Sequence, residues 1–329
     1  MNIAFFSSRP YDEEYFRNAN KNYSYGLKFF DAKLTEETAG LAKNCDAVCL
    51  FVNDHADEKT LKCLSEIGIR VILLRCAGYN NVDLSTAKKL NIKVFRVPAY
   101  SPHAVAEHAV ALILTLNRKT HRAHMRVREG NFSLHGLIGF DLFEKTVGVV
   151  GTGKIGEIFA KIMLGFGCKV IATDVTPSPV LISLGVKYVA KDVLFSSSDI
   201  ISLHLPLTKD SNHYINEETI KRLKPNVMLV NTGRGALMDT KAVLHALKNK
   251  RIGSLALDVY EEEENYFFDD HSDEAINDDV LARLMTFPNV LITAHQAFLT
   301  TEALEKIALT TLNNLADYEN KKSTVNEVN

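Results

Sequence analysis

The residues best suited to chemistry begin with Gly151-Thr152-Gly153-Lys154-Ile155-Gly156, which follow the β-branched run Thr146 to Val150 directly. A helical pattern comes next (Ile155, Ile158, Phe159, Ile162, Met163), then a second apolar run, Lys169 to Thr173, closed by Asp174. Strand, glycine turn, helix, strand and a terminal carboxylate form the layout that holds a dinucleotide. Gly151 allows the tight turn, Gly153 lets a pyrophosphate approach the backbone, and Gly156 lets the helix lie close to the strand. The N–H groups at the helix start are then available to the phosphates. Asp174 would accept hydrogen bonds from the adenosine ribose and repel a 2′-phosphate, which favours NAD over NADP. Glycines also serve purely structural turns, and Asp174 could be a plain strand-end carboxylate. The agreement of motif and context decides for the dinucleotide.

The elements that must carry these residues are legible as a series. Strand-length runs at Ile200 to Leu205, Val227 to Thr232, Ser254 to Val259 and Val290 to Ala294 each end at polar or charged residues: His204, Thr232 and Arg234, Asp258, and His295. Helical patterns such as Glu217 to Leu223 and Thr240 to Lys248 separate them, so parallel strands would deliver these side chains to one edge. Residues 1–99 also alternate. Asn2 to Phe6, Leu27 to Phe30, Ala47 to Val52, Val71 to Cys76 and Lys93 to Val97 read as strands, with helices at Glu58 to Ile67 and Leu84 to Leu90. That pattern implies a second parallel sheet covered on both faces. It lacks a glycine-rich phosphate loop, but Arg75-Cys-Ala-Gly-Tyr-Asn-Asn-Val-Asp83 follows a buried strand and is a candidate substrate wall. The plainer reading is an Asn/Gly turn in which Asp83 caps the next helix, and both can hold. Val97 to Pro102 reads as a hinge, with Ser101 an N-cap and Pro102 in the first turn of a helix reaching about Leu116. Its nearly continuous apolar content suggests burial between domains or subunits, with His108 a structural residue. Arg118 to Gly139, basic and less periodic, reads as an arm or surface connection that could pack on a partner subunit. A helix from Thr301 to about Tyr318 ends the pattern, and Glu319 to Asn329 is expected to be loosely ordered.

A length of 329 residues suits two domains, and 46% hydrophobic with 24% charged residues is ordinary for a globular protein. A net charge near −2 without a dense Lys/Arg run argues against a nucleic-acid surface. The N-terminus lacks a secretion signal, and the longest apolar run, Ala109 to Leu114, is too short to cross a bilayer. Five scattered cysteines without a C-x-x-C pair fit reduced thiols in a cytosolic protein. No metal is expected, because His121 and His124 lack further ligands nearby.

Three residues make a chemically coherent set: Arg234 in Asn231-Thr-Gly-Arg-Gly235, Glu263 in Asp258-Val-Tyr-Glu-Glu-Glu263, and His295 in Ala294-His-Gln296. Hydride transfer to a 2-keto acid needs a cation for the carboxylate and carbonyl, which a planar Arg supplies through paired hydrogen bonds. It needs a proton donor for the developing alkoxide, and His titrates in the right range. A carboxylate beside that His favours the imidazolium and fixes the ring. Spacing alone does not select these three.

Resemblance selects them. Gly151 to Gly156, Asn231 to Gly235, Asp258-Val-Tyr-x-x-Glu263 and Ala294-His295 together resemble the D-isomer-specific 2-hydroxyacid dehydrogenases. Arg75 to Asp83, Val97 to Pro102, Ala106-Glu-His108 and Ala297-Phe-Leu-Thr300 are similar to the fermentative D-lactate dehydrogenase branch of that family. The similarity spans essentially the whole chain. It implies an α/β fold of two doubly wound parallel-sheet domains, a Rossmann-type nucleotide domain (100–296) and a flavodoxin-like substrate domain (1–99 and 297–329), with the active site in a cleft between them. It also implies that Arg234 binds the substrate carboxylate and carbonyl, His295 is the acid/base and Glu263 its partner. Asp258 and the Thr232-Gly233 backbone would place the nicotinamide of NAD, Lys154-Ile155 would belong to the pyrophosphate loop, and His204-Leu205-Pro206 would line the adenosine side. The Ala77-Gly78 backbone, Tyr100 and Phe298 would shape the substrate pocket. The implied reaction is reversible reduction of pyruvate to D-lactate by a cytoplasmic homodimer or homotetramer joined through the nucleotide domain. The alternatives are larger D-2-hydroxy acids or, outside catalysis, NADH sensing. Two departures from the family pattern stand out. Ala294 replaces a common Pro before the His, and Glu264 replaces a common Pro after the Glu, which leaves the register within Glu261 to Glu264 open. The family motif, which places the Glu five residues after the strand-end Asp258, implies Glu263.

Overall fold

In the computed structural model, which describes residues 1–329, the chain folds as two compact units, Met1–Ser101 with Leu299–Asn329 and Pro102–Phe298. The first unit carries strands β1 (Asn2–Phe5), β2 (Gly26–Phe29), β3 (Ala47–Leu50), β4 (Val71–Leu74) and β5 (Lys93–Phe95). They form one parallel sheet in the order β2-β1-β3-β4-β5, the flavodoxin-like arrangement. The central strands β3 and β4 are buried at every residue, as unbroken Ala-Val-Cys-Leu and Val-Ile-Leu-Leu runs require in a sheet covered on both faces. Asp57 and Asp83 cap the helices Glu58–Glu66 and Leu84–Lys89, accepting Thr60 N at 2.9 Å and Thr86 N at 3.0 Å. Arg75, read above as part of a ligand loop, is a buried strut. Its guanidinium donates to Ser7 O at 2.7 Å, lies 3.3 Å from Asp12 Oδ1 and covers the Phe51 ring at 4.8 Å.

The helix Pro10–Asn20 has a polar composition that hides its periodicity in the sequence, and Phe16 is the one large apolar residue it buries. The terminal residues are ordered, not loose. Val328 N donates to Val94 O at 3.0 Å, Arg96 N to Asn326 O at 3.0 Å, and Val94 N to Asn329 Oδ1 at 2.9 Å, so the chain end covers the free edge of β5. Capping an edge strand satisfies backbone groups that would otherwise invite another chain.

The second unit holds β6 (Thr146–Val150), β7 (Lys169–Thr173), β8 (Lys187–Tyr188), β9 (Ile200–Leu203), β10 (Val227–Asn231), β11 (Ile252–Leu257) and β12 (Val290–Ile292). They pair in parallel in the order β12-β11-β10-β9-β6-β7-β8, a Rossmann-type order whose direction reverses between β6 and β9. Side-chain alternation sorts the two cores. Val147, Val149, Ile200, Met228 and Val230 pack with the helices Pro102–Arg118 and Lys154–Gly165, whereas Val150, Ile201, Leu203, Leu229 and Leu257 pack on the other face. Each large apolar side chain so buried stabilises the fold by about 1.5–3 kcal/mol.

The buried face of the helix Pro102–Arg118, through Ala109, Ile113 and Leu116, packs within its own unit. The arm opens with a helix, Thr120–Arg128, that buries no residue. The next residues have no regular structure but are held by cations: Arg126 Nη1 donates to His135 O at 2.8 Å, and Lys119 Nζ to Gly136 O and Ile138 O at 2.9 Å each. The short helices Pro179–Ser183, Lys191–Ser197 and Asp279–Met285, and the two-residue β8, are too brief for periodicity to reveal.

Candidate active site

The glycine turn sits where the strand order reverses. Gly151 has φ +90°, and a Cβ there would lie 2.7 Å from His204 O, so the loops after β6 and β9 touch through backbone. Gly156 is equally constrained, since a Cβ would stand 2.0 Å from Gly151 O. Gly153 is the opposite case, with no atom within 4 Å of a Cβ and no side chain capping the helix that Lys154 begins. Two glycines thus close the turn, and the third, together with exposed Lys154 and half-buried Ile155, leaves room and free N–H groups for an anion.

Asp174 ends β7 as expected. Its Oδ2 accepts from Thr152 N at 2.5 Å and Thr152 Oγ1 at 3.1 Å, and its Oδ1 accepts from Thr176 N at 2.9 Å. Burial pushes this carboxyl up, but those bonds outweigh it and hold it below the usual carboxylate range. Tyr188 Oη donates to Thr152 Oγ1 at 2.8 Å, so Thr152 and Tyr188 orient the carboxylate, a role the sequence did not suggest. On the other side of the switch, His204 is bonded to Ser202 Oγ at 2.9 Å and packs on Phe159, ring centroids 4.9 Å apart, while Pro206 is exposed. Thr232 Oγ1, at the end of β10, is buried without a partner, and Gly233 N donates to Asn231 Oδ1 at 3.0 Å. An open glycine, an uncapped helix start and an oriented anionic strand end fit a dinucleotide.

The remaining candidates stand on the ends of β10, β11 and β12. Asn231, Leu257 and Ile292 are register partners across these strands, and Arg234 and His295 each lie three residues beyond that row. His295 has φ +51°, a left-handed conformation that costs a non-glycine residue roughly 1 kcal/mol or more. Its N–H donates to Asp258 O at 2.7 Å. Asp258 is wholly buried, and its carboxylate accepts from Thr293 Oγ1 at 2.6 Å, Gln296 N at 2.9 Å and Ala297 N at 2.9 Å. His108 Nε2 completes the cluster, 3.1 Å from Thr293 Oγ1 and 3.3 Å from Asp258 Oδ1. So many donors compensate the buried charge, and in return the carboxylate fixes the two peptides after His295 while the Asp258 carbonyl holds the one before it.

His295 Nδ1 lies 2.7 Å from Glu263 Oε1, and Glu263 Oε2 accepts from Tyr260 N at 2.9 Å. A carboxylate accepts only, so Nδ1 carries the proton and Nε2 is the nitrogen left to act on a ligand. Arg234 is half-buried and its Nη1 donates to Gly233 O at 2.7 Å, leaving further guanidinium donors. Geometry separates three of the four acidic neighbours. Glu263 faces His295, Glu261 turns to His213 and Thr240, and Glu262 precedes the short helical turn Glu263–Asn265. Phe298 is buried in this unit, whereas Ala77 and Gly78 follow β4, and Tyr100 follows β5, in the first unit. His108, Thr293, Glu261 and His213 were not legible as partners, because their contacts join residues dozens of positions apart.

Comparison with known proteins gives the same frame. Residues 110–297 match the model of the D-isomer specific 2-hydroxyacid dehydrogenase NAD binding domain. The chain is 51% identical over 328 residues to a D-lactate dehydrogenase of Escherichia coli, covering 100% of both. The apo-structure of the Escherichia coli D-lactate dehydrogenase superposes with TM-score 0.93 at 50% identity over 100% of both chains. A structure described as the pyruvate reductase of Chlamydomonas reinhardtii gives 0.94 at 43% identity, covering 99% of this chain and 98% of that one.

Burial lowers the His204 imidazole from 6.5 to about 3. Between those values the unfolded chain holds a proton that the folded one lacks, so stability rises with pH and falls on acidification below about 6.5. His204→Gln should flatten the stability–pH slope between pH 4 and 6 by up to about 1.4 kcal/mol per pH unit. Denaturant melts across that range measure it, and an unchanged slope contradicts the assignment.

Proposed function

This chain belongs to the D-isomer specific 2-hydroxyacid dehydrogenase family, and from that premise we propose that it reduces pyruvate reversibly to D-lactate with NADH. The observation that carries the reading is the His295–Glu263 pair at 2.7 Å, which leaves Nε2 for substrate on the sheet edge that also bears Arg234 and the glycine turn. NAD, when bound, supplies the carbon that gives or takes the hydride.

The chain's own residues do the rest. Arg234 holds the carboxylate of pyruvate through its remaining donors and draws electron density from the carbonyl oxygen. His295 Nε2 gives its proton to that oxygen as the hydride reaches C2, so ketone, hydride and proton sum to the alcohol. In the oxidative direction Nε2 takes the hydroxyl proton back. Glu263 keeps Nδ1–H engaged throughout, holding the ring in place. Gly151, Gly153, Lys154, Ile155 and Gly156 would hold the pyrophosphate, Asp174 the ribose, His204 and Pro206 the adenosine side, and Thr232, Gly233 and Asp258 the nicotinamide end. Ala77, Gly78, Tyr100 and Phe298 keep the substrate-side roles that the family resemblance implies.

Loss of NADH absorbance on adding pyruvate, followed by chiral analysis of the product, tests the reading. Oxidation with other 2-keto acids but not with pyruvate would reject the substrate. His295→Ala should lower turnover about 10²- to 10⁴-fold, the usual contribution of general acid/base catalysis. Near-normal turnover would remove His295 from its role. Arg234→Lys should raise the pyruvate KM by roughly ten- to a hundredfold, because a point charge cannot reproduce two parallel charged hydrogen bonds. An unchanged KM and kcat would contradict that.

The arm supports a second copy of the chain as the partner. Phe132, Leu134 and Ile138 are 75%, 80% and 86% exposed although Arg126 and Lys119 hold the backbone at His135, Gly136 and Ile138. An ordered strip with that much apolar exposure marks an association surface. Light scattering should give a dimer or larger assembly, and the triple variant Phe132→Glu, Leu134→Glu, Ile138→Glu should shift it towards monomer. A monomeric parent at micromolar concentration would exclude the arrangement.

A further inference from the structure

Arg234 and Glu263 stand on different loops, so something must fix one against the other. The backbones already touch: a Cβ on Gly235 would lie 2.1 Å from both C and O of Tyr260 and 2.4 Å from Glu261 N. Across that contact the Glu261 side chain reaches out in two directions. Its Oε1 lies 2.5 Å from His213 Nε2, and its Oε2 accepts from Thr240 Oγ1 at 3.0 Å and Thr240 N at 3.3 Å. Thr240 opens the helix Thr240–Lys248 capped by Asp239, so the carboxylate also meets the positive end of a helix dipole. His213 is tied in turn to the Arg234 loop, since its N–H donates to Ala236 O at 2.8 Å. Asn216 Nδ2 donates to His213 O at 2.9 Å and steadies its backbone. One carboxylate therefore joins the loop after β9, the helix after β10 and the catalytic loop after β11, two residues before Glu263.

We infer that Glu261 and His213 form a positioning pair that sets the Arg234 loop against the Glu263 loop, so that guanidinium and imidazole meet the same substrate. Neither is a catalytic residue. They act by holding a spacing on which two hydrogen-bonding groups must agree, and misplacement on the scale of an ångström costs far more in catalysis than in stability. The Glu261 acceptor bonds are shared between a hydroxyl, a peptide N–H and an imidazole, so the pair resists displacement in more than one direction. This inference rests on the proposed reduction of a 2-keto acid.

The test uses full-length protein loaded with NADH and two readouts, kcat/KM for pyruvate and the affinity for oxamate, a pyruvate-shaped acid that accepts no hydride. Glu261→Ala should lower both by roughly ten- to a hundredfold while NADH affinity and melting temperature stay near the parent values. His213→Ala should reproduce part of that loss, the double variant should be little worse than Glu261→Ala alone, and His213→Gln, which keeps a donor for the carboxylate, should restore most of it. Parental kcat/KM and oxamate affinity in Glu261→Ala would overturn the pairing. So would losses in NADH affinity and melting temperature that match the loss in activity. A parent that reduces no 2-keto acid and binds no oxamate would defeat the proposed function and this inference together; an active parent with unaffected variants would defeat only the inference.

Discussion

Everything in the candidate site turns on one short hydrogen bond, between Glu263 Oε1 and His295 Nδ1, made between loops that leave neighbouring strands. It fixes which imidazole nitrogen is bare, and so which face of the ring can exchange a proton. His295 makes this bond from a left-handed backbone, which is unfavourable in isolation. Asp258 makes that conformation stable. Its carbonyl accepts the His295 N–H, and its buried carboxylate accepts the two following peptide N–H groups. Local strain at the reactive residue is thus offset by an anion whose own burial is compensated by its donors.

The sheet explains why such distant residues can cooperate. Parallel strands end on the same edge, and spacing between neighbours is about 4.8 Å, so residues a few positions beyond aligned strand ends necessarily become close neighbours. Glycines then decide where backbone may touch backbone. Gly151 and Gly156 bring the first strand, its helix and the loop after β9 together, and Gly235 lets the Arg234 loop lie against Tyr260. A single methyl group at any of these positions would push apart elements that the chemistry requires in contact.

Much of this was legible in the sequence, for identifiable reasons. β6 and β7 were readable to the residue because each is a β-branched run bounded by a turn, and the helix Thr240–Lys248 because an Asp cap precedes a clean apolar stripe. The helix Pro10–Asn20 was not, since its charges obscure the period, and the terminal residues were not, since polar composition suggests solvent while here the backbone bonds to β5. Within the site, residue types identified the chemistry, and family resemblance chose among many Arg, Glu and His residues. The acidic run Glu261 to Glu264 shows the limit. Four consecutive carboxylates do not by themselves say which one meets His295; the family motif, counted from Asp258, chose Glu263, and the contact itself depends on where β12 ends relative to β11. For the same reason Glu261, indistinguishable in sequence from its neighbours, carries a separate set of contacts.

The tautomer of His295 is the most direct measure of the central claim. Nitrogen-15 labelling of the histidines, with His295 assigned by comparison with a His295→Gln variant, reports which ring nitrogen carries the proton in the neutral form. The account requires protonated Nδ1 and bare Nε2, with the Nδ1–H signal shifted downfield and that shift lost in Glu263→Ala. A neutral imidazole protonated at Nε2, indifferent to the removal of Glu263, would contradict it.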